Sequence, residues 1–507
     1  MTNSDQESRI MPVHRLGWGF LLAWVFCTFY TDITANAFGG SRMGAAPDPA
    51  VRVAGSILPV LVAVAVLAAL VAGERRFGPI VLRRGMVAAS AVAAAVGTPL
   101  LFATVPENLL QMTLFVLGAL LTGGGSAVLW VLWGVCYARL PQEEVERCAP
   151  VSAVLAALLI LAASAMNGWV AVAFASLLPV VSAVCALLSW RELRGAPLPC
   201  ERGADDARRD SAAASMPRPV SALRAIGRSG WGILLACLFV CVEGGFYDGD
   251  RSSSLELQAV IIASALFMVG IGLYSVAGPR RVSVAYLFRW MCPLLVAGFA
   301  ALVVTGGSAV GCLAAFGVSL AARFAFCVIT QMFFARFPAR GMTTPTQSYG
   351  LGWIFVHLGD LLGVVALDVL EGPLDGGAVT AVQVAAVATL LLVMATMFVL
   401  DDDASFTGPA DEGADSRAVS SGETAPQAPS SARSPFDDRV ALIAREIGLT
   451  PRESEVFALL MHGRSVPYIR DELVISRDTV ATHVKHIYAK AGVHSRQELI
   501  DLAQDEA

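Results

Sequence analysis

From Leu16 to Leu400 the chain consists of apolar runs separated by short polar loops in which arginine is the main charge. The runs are about 20 residues long, the length that crosses a bilayer as an α-helix. This alternation constrains the fold more than any other feature. Runs of that length cannot be left in water, and inside lipid the backbone must satisfy its own hydrogen bonds, which helices do. Twelve runs are centred near Trp24, Ala63, Ala94, Leu121 to Trp133, Leu158, Leu178, Leu238, Ala265, Val296, Phe316 to Thr330, Val356 and Thr389. Apolar residues make up 56% of the 507 and charged residues 15%, the balance of a membrane protein. The run from Leu16 to Phe38 is too long for the core of a signal peptide and lacks a small-residue cleavage site, so it is read as the first span. Eight of the ten cysteines (Cys27, Cys136, Cys185, Cys237, Cys241, Cys292, Cys312 and Cys327) lie inside apolar runs without a C-x-x-C pair, as small buried side chains do.

The loop arginines set the expected orientation. With the N-terminus inside, the loops on that side carry Arg75, Arg76, Arg83, Arg84, Arg139, Arg147, eight arginines from Arg191 to Arg228, Arg280, Arg281, Arg336 and Arg340. The opposite loops hold Arg42, Arg52 and Arg251. Eighteen against three, or ten against three without the long central loop, is a strong positive-inside asymmetry. The expectation is a multi-pass protein of the inner (cytoplasmic) membrane with both termini cytoplasmic.

Three segment pairs recur in the same order in the two halves. Gly17-Trp18-Gly19-Phe20-Leu21-Leu22-Ala23 matches Gly230-Trp231-Gly232-Ile233-Leu234-Leu235-Ala236. Val71-Ala72-Gly73-Glu74-Arg75-Arg76 matches Val276-Ala277-Gly278-Pro279-Arg280-Arg281, and Ala138-Arg139-Leu140-Pro141 matches Ala335-Arg336-Phe337-Pro338. Six spans plus six in parallel orientation is a transporter-type repeat architecture. Over about Leu16 to Leu400 the chain resembles the Major Facilitator superfamily. In that family the loop after the second span carries a glycine-rich basic motif with an Asp before the Arg. Here Arg76-Phe77-Gly78 is preceded by Arg75, a departure that argues against the loop's usual gating ion pair and against transport.

Charges at bilayer depth cost roughly 2.5–3.5 kcal/mol each on insertion scales, so each needs a partner or a cavity. The candidates are Asp32 and Asn36 in span one, Glu243 in span seven, Arg323 in span ten, and His357 with Asp360 in span eleven. Glu243 lies roughly 22 Å from Arg228 and Arg323 roughly 20 Å from Arg336 along their helices, a shared depth that predicts a pair. That pair either contributes to a ligand site or locks the two halves, since the resemblance implies that spans one, four, seven and ten line a central cavity. His357 and Asp360, three apart on one helix face, suit proton coupling or ligand grip, unless Asp360 is solvated near the outer surface. Trp130 and Trp133, after the flexible Gly123-Gly124-Gly125, form either an aromatic wall for a small organic ligand or ordinary packing.

Residues 191–229 read as an irregular cytoplasmic loop, and residues 401–436, rich in Ala, Ser, Gly, Pro and Asp, as a disordered linker with a reach of roughly 30–35 Å. The remaining segments are a tail (1–15), two membrane halves (16–190 and 230–400) and a C-terminal domain (437–507).

In that last domain Thr450-Pro451-Arg452-Glu453 is a capping box with Pro at the first helical position, followed by apolar Val456, Leu459 and Leu460. Gly463 ends the helix, a short helix spans about Pro467 to Leu473, and Ser476 caps a third. On the third helix Val480, Val484, Ile487 and Ala491 face inward, while Arg477, Thr479, Thr482, His483, Lys485 and His486 face out. Ser495-Arg496-Gln497-Glu498 is a second capping box opening a fourth helix. The whole is all-α: a membrane helix bundle with a four-helix C-terminal domain.

These four helices, with Leu449, Thr450, Glu453, Val456, Gly463, Ile475, Ser476, Thr479, Val480, His483, Val484, Lys490, Gly492 and Val493 in place, resemble the DNA-binding domain of the bacterial LuxR-type transcription regulators. The resemblance implies a double-stranded DNA partner, a third helix in the major groove and a homodimer when bound. By position, Ala481, Thr482 and Lys485 face base edges, and Arg477, Thr479, His483 and Lys490 hold phosphates. Ala481 stands where the family commonly has Lys or Arg. From Asp437 to Ala507 there are nine basic and twelve acidic residues, so non-specific DNA affinity is expected to be weak. The two lysines of the chain, Lys485 and Lys490, both lie on the third helix.

No phosphate-binding loop, metal cluster or nucleophile-base spacing stands out, so neither an enzyme nor a cofactor nor a metal is expected. The expectation is a membrane-bound one-component regulator that senses an unknown small molecule. The alternative is a transporter with an added regulatory domain.

Overall fold

The computed structural model describes residues 12–31, 33, 49–102, 108–195, 198, 219–247, 254–277, 284–399, 440, 442–445, 447–461, 469, 477–493 and 498–499. They divide into two compact units, Met1–Ser416 and Arg417–Ala507. No strand occurs among the described residues.

The larger unit holds twelve helices among its described residues: α1 (Trp18–Val25), α2 (Pro49–Phe77), α3 (Arg84–Phe102), α4 (Leu109–Tyr137), α5 (Gln142–Ser164), α6 (Gly168–Leu193), α7 (Pro219–Gly244), α8 (Ser254–Ala277), α9 (Val284–Val304), α10 (Ala309–Ala339), α11 (Pro345–Asp375) and α12 (Ala381–Val399). Seven of them are long and apolar enough to cross a membrane, and α7 makes an eighth when its two bent parts are taken together. Helices α8, α9 and α12 contribute shorter apolar stretches. This is a polytopic membrane protein. The first span is the least regular: a 3-10 turn (Val13–Gly17) enters α1 and a π-helical turn (Phe26–Tyr30) leaves it. Helix α7 begins at Pro219, inside the segment read as an irregular loop, because proline at a first helical position surrenders no hydrogen bond.

The pseudo-repeat is visible in the packing. In the first half α1 packs on α5 and α6, α2 on α4, and α3 on α4 and α6. Six helices later, α7 packs on α11 and α12, α8 on α10, and α9 on α10 and α12. The halves meet through α2 with α11 and α5 with α8, contacts that exchange with each other when the halves are swapped. Small residues allow the close approaches, as in other membrane interfaces. A Cβ on Gly123 of α4 would sit 2.3 Å from the Pro59 carbonyl oxygen of α2, and one on Gly359 of α11 would sit 2.3 Å from the Leu234 carbonyl oxygen of α7. Gly123 and its neighbours are therefore packing positions in the unbroken helix α4 rather than a flexible hinge.

The repeats also diverge. Trp18 is fully buried, whereas its counterpart Trp231 is 59% exposed. The Ala138–Pro141 segment leaves α4 in a turn, but its counterpart stays helical inside α10, with Pro338 in the helix.

In the smaller unit, α13 (Pro451–Met461) and α14 (Arg477–Ala491) close on a core of Val440, Ile443, Ala444, Val456, Phe457, Leu460, Ile469, Val480, Ile487, Val493 and Leu499. Gly448 (φ 67°) and Gly492 (φ 69°) follow the ends of two helices, and the next amides, Leu449 and Val493, bond back to the Ala444 and Tyr488 carbonyls. That left-handed cap favours glycine. The expected caps at Ser476 and Ser495, and Gly463, lie outside the described residues, as does the short helix expected from Pro467 to Leu473 except for Ile469.

Candidate functional site

Helices α10 and α11 carry the central charges of the bundle. Arg323 donates from Nη1 to Asp360 Oδ1 at 2.5 Å, and the Tyr30 hydroxyl donates to Asp360 Oδ2 at 2.9 Å. The guanidinium also lies over the Tyr30 ring, 4.5 Å from its centroid. Both charged side chains are only 7% exposed, so a Coulomb attraction little weakened by water offsets their loss of hydration. Tyr30 belongs to the first half and the ion pair to the second, and the cluster therefore ties the halves together. Phe26 stacking on Phe324 at 3.9 Å adds to the same contact.

This arrangement corrects the pair expected from depth. Glu243 does not meet Arg323. It is fully buried, and neither carboxyl oxygen has a hydrogen-bond partner. Ser319 of α10 donates to the Val240 carbonyl of α7 at 2.7 Å, which shows the register of the two helices. Counting from that bond, with Gly244 near Phe316, Glu243 and Arg323 stand about 10 Å apart along the axis. Gly298 of α9 makes room for the carboxyl: a Cβ there would lie 1.6 Å from Oε1. His357 does not pair with Asp360 either. Asp360 is spent on Arg323 and Tyr30, and His357 Nε2 is buried without a partner. Nor is Asp360 solvated, being 5% exposed. Asp32 and Asn36 lie outside the described residues.

The tryptophans are packing residues in this arrangement rather than an open aromatic wall. Trp130 stacks on Trp353 of α11 at 3.8 Å, and Trp133 donates to Ser182 Oγ at 2.8 Å. Trp353 and its contact with Trp130 were not read from the sequence, although Trp353, His357 and Asp360 recur at i, i+4 and i+7 on one face of α11. Glu74 was also missed. The acid that the loop lacks at Arg75 stands one residue earlier, where its carboxylate accepts from Thr344 Oγ1 at the start of α11, across the halves.

In the smaller unit the capping box forms as expected. Glu453 Oε2 accepts from the Thr450 amide at 2.8 Å, and Thr450 Oγ1 accepts from the Glu453 amide at 3.3 Å. On α14 Thr479, Thr482, Lys485 and His486 are exposed, over an inner face of Val480, Val484 and Ile487. His483 is half-buried, and its Nδ1 has no partner. The side chains of Arg477 and Ala481 lie outside the described residues, although both positions fall in α14.

Lys490, expected at phosphates, makes contacts within the domain. Its ammonium donates to Glu453 Oε2 at 2.7 Å and to the Gly448 carbonyl at 3.2 Å, tying the end of α14 to the start of α13. The Lys490 hydrogen bond, followed by the Thr450 amide, pulls the Glu453 carboxyl down to about 2.

Residues 448–503 match the family described as bacterial regulatory proteins, luxR family. The HTH-type transcriptional regulator MalT of Serratia proteamaculans is 38% identical over 66 residues, 13% of this chain and 7% of that protein. A putative HTH-type transcriptional regulator of Mycobacterium bovis is 46% identical over 55 residues, 11% of this chain and 6% of that protein. The chain thus spans only a small part of the length of these curated relatives. Among solved structures, the bundle is similar to the proton:xylose symporter XylE of the major facilitator superfamily (TM-score 0.48, 12% identity, 76% of this chain, 94% of that one). It is also similar to a bacterial homologue of the iron transporter ferroportin (TM-score 0.47, 15% identity, 77% and 100%). Residues 448–503 are a LuxR-type helix-turn-helix domain, carried on the same chain as a polytopic membrane bundle.

Proposed function

We propose that this chain is a one-component transcription regulator of the inner membrane, with both termini cytoplasmic, whose bundle senses a small molecule and thereby controls sequence-specific DNA binding. The observation that carries the reading is the presence, on one chain, of a LuxR-type domain and a bundle whose halves are joined by a buried Tyr30–Asp360–Arg323 cluster. A ligand that prefers either the joined or the parted arrangement shifts the population between them. Such a shift acts on how often two DNA-binding domains meet.

On DNA, α14 enters the major groove as a homodimer half-site reader. Ala481, Thr482 and Lys485 face base edges, while Arg477, Thr479 and His483 approach phosphates. The test uses the full-length chain in nanodiscs: compounds that shift its thermal unfolding are assayed for their effect on operator affinity. Ligands that bind and leave DNA affinity unchanged would refute sensing. The second reading, a transporter with an added regulatory domain, is favoured by the complete six-plus-six packing. Uptake of a bound compound into proteoliposomes would establish it, and binding without uptake would exclude it.

A further inference from the structure

We infer that the ligand of this cluster is a small organic carboxylate that competes with Asp360 for Arg323. The inference rests on the sensing role proposed above and names the chemistry of its ligand. Both hydrogen bonds made by Arg323 start from Nη1. Among the described residues its Nε and Nη2 edge is therefore unspent, and that edge is the fork that grips a carboxylate through two parallel bonds.

Asp360 is in the opposite position. One of its oxygens takes Arg323 and the other takes Tyr30. Further along the same face of α11, Trp353 Nε1 and His357 Nε2, a donor in one tautomer, are buried without partners. The cluster thus offers donors whose acceptors are missing, over a span of roughly 10 Å from Asp360 to Trp353. A cationic ligand would meet the repulsion of Arg323 and a carboxylate already engaged at both oxygens. An anionic acceptor meets a cation whose matching edge makes no bond among the described residues.

The competition has a direction. A ligand carboxylate on that edge weakens the hold of Arg323 on Asp360, and Asp360 is the group that Tyr30 reaches from the first half. Binding therefore loosens the tie between halves, which is the differential contact a switch requires.

The test measures equilibrium binding of benzoate, phenylacetate, indole-3-acetate and hexanoate to the full-length chain in nanodiscs, each beside its primary amide. At least one acid is expected to bind at least about tenfold more tightly than its amide. Arg323→Lys, which keeps the charge and loses the fork, should weaken the acids by at least about tenfold. Asp360→Asn, which removes the competitor, should tighten them. Amides that match the acids, acids that Asp360→Asn weakens, or no binding by any of the four acids would overturn the inference. Arg323→Lys alone decides it if Asp360→Asn does not fold. Amides that bind and alter DNA affinity where acids do not would reject the carboxylate and leave sensing standing; bound acids that leave DNA affinity unchanged would reject sensing and leave the carboxylate site standing.

Discussion

Arg323 and Asp360 form a buried ion pair between neighbouring helices, at 2.5 Å, while Glu243 is left buried and unpartnered beside Gly298. The charge of Arg323 is thereby paired by a residue that also reaches across to the first half through Tyr30.

Breaking that pair on one side strands a charge. Arg323→Gln or Asp360→Asn should each destabilise the bundle by about 3–5 kcal/mol, and the double variant by clearly less than the sum. Thermal unfolding in detergent measures this; strict additivity would mean that the two side chains do not interact.

Gly298 is required by its neighbour. Gly298→Ala would place a methyl group 1.6 Å from Glu243 Oε1 and should cost about 1–3 kcal/mol. Adding Glu243→Ala should restore most of the loss. If the second change fails to help, the carboxyl does not occupy this pocket.

Acid should loosen the DNA-binding unit through Glu453. Its carboxyl is pulled from 4.5 to about 2 in the folded state, mainly by the Lys490 hydrogen bond. A depressed carboxyl contributes stability that is fully present above its unfolded value and lost as pH falls through its folded value. Protection of α13 amides from hydrogen exchange, corrected for intrinsic rates, should therefore decline between about pH 4.5 and about pH 2. Glu453→Gln should flatten that decline, and a profile shared by wild type and variant would assign it to other groups.

The two lysines of α14 should separate by phenotype. Lys485→Ala should weaken operator binding by about 1–3 kcal/mol, read by fluorescence anisotropy on full-length protein. Lys490→Ala should instead reduce protection of α13 and α14, with the salt dependence of DNA binding unchanged. A shallower salt slope for Lys490→Ala would return that lysine to the phosphate contacts.

Much of this molecule was legible in local patterns. The halves show in the recurrence of Gly17-Trp18-Gly19 as Gly230-Trp231-Gly232, and the packing repeats with the same period of six helices. Thr450 and Glu453 announced their reciprocal cap because both partners lie within one turn. The inner face of α14 followed from helical spacing, although Phe457 on α13, fully buried, was not singled out. The contacts of Lys490 were not legible because its partners, Glu453 and Gly448, are distant in sequence.

By itself the sequence determined which segments leave water for a bilayer, how the chain divides into halves, and that a LuxR-type domain closes it. Hydrophobic length, arginine placement and helix capping are local quantities, summed along the chain without reference to distant residues. Only the tertiary structure decided which buried groups meet: Arg323 with Asp360, Trp130 with Trp353, Glu74 with Thr344, and Glu243 with no described partner. Those choices depend on the relative register and rotation of helices far apart in sequence. A single contact such as Ser319 to the Val240 carbonyl shows Glu243 about 10 Å from the depth of the charge it was expected to meet.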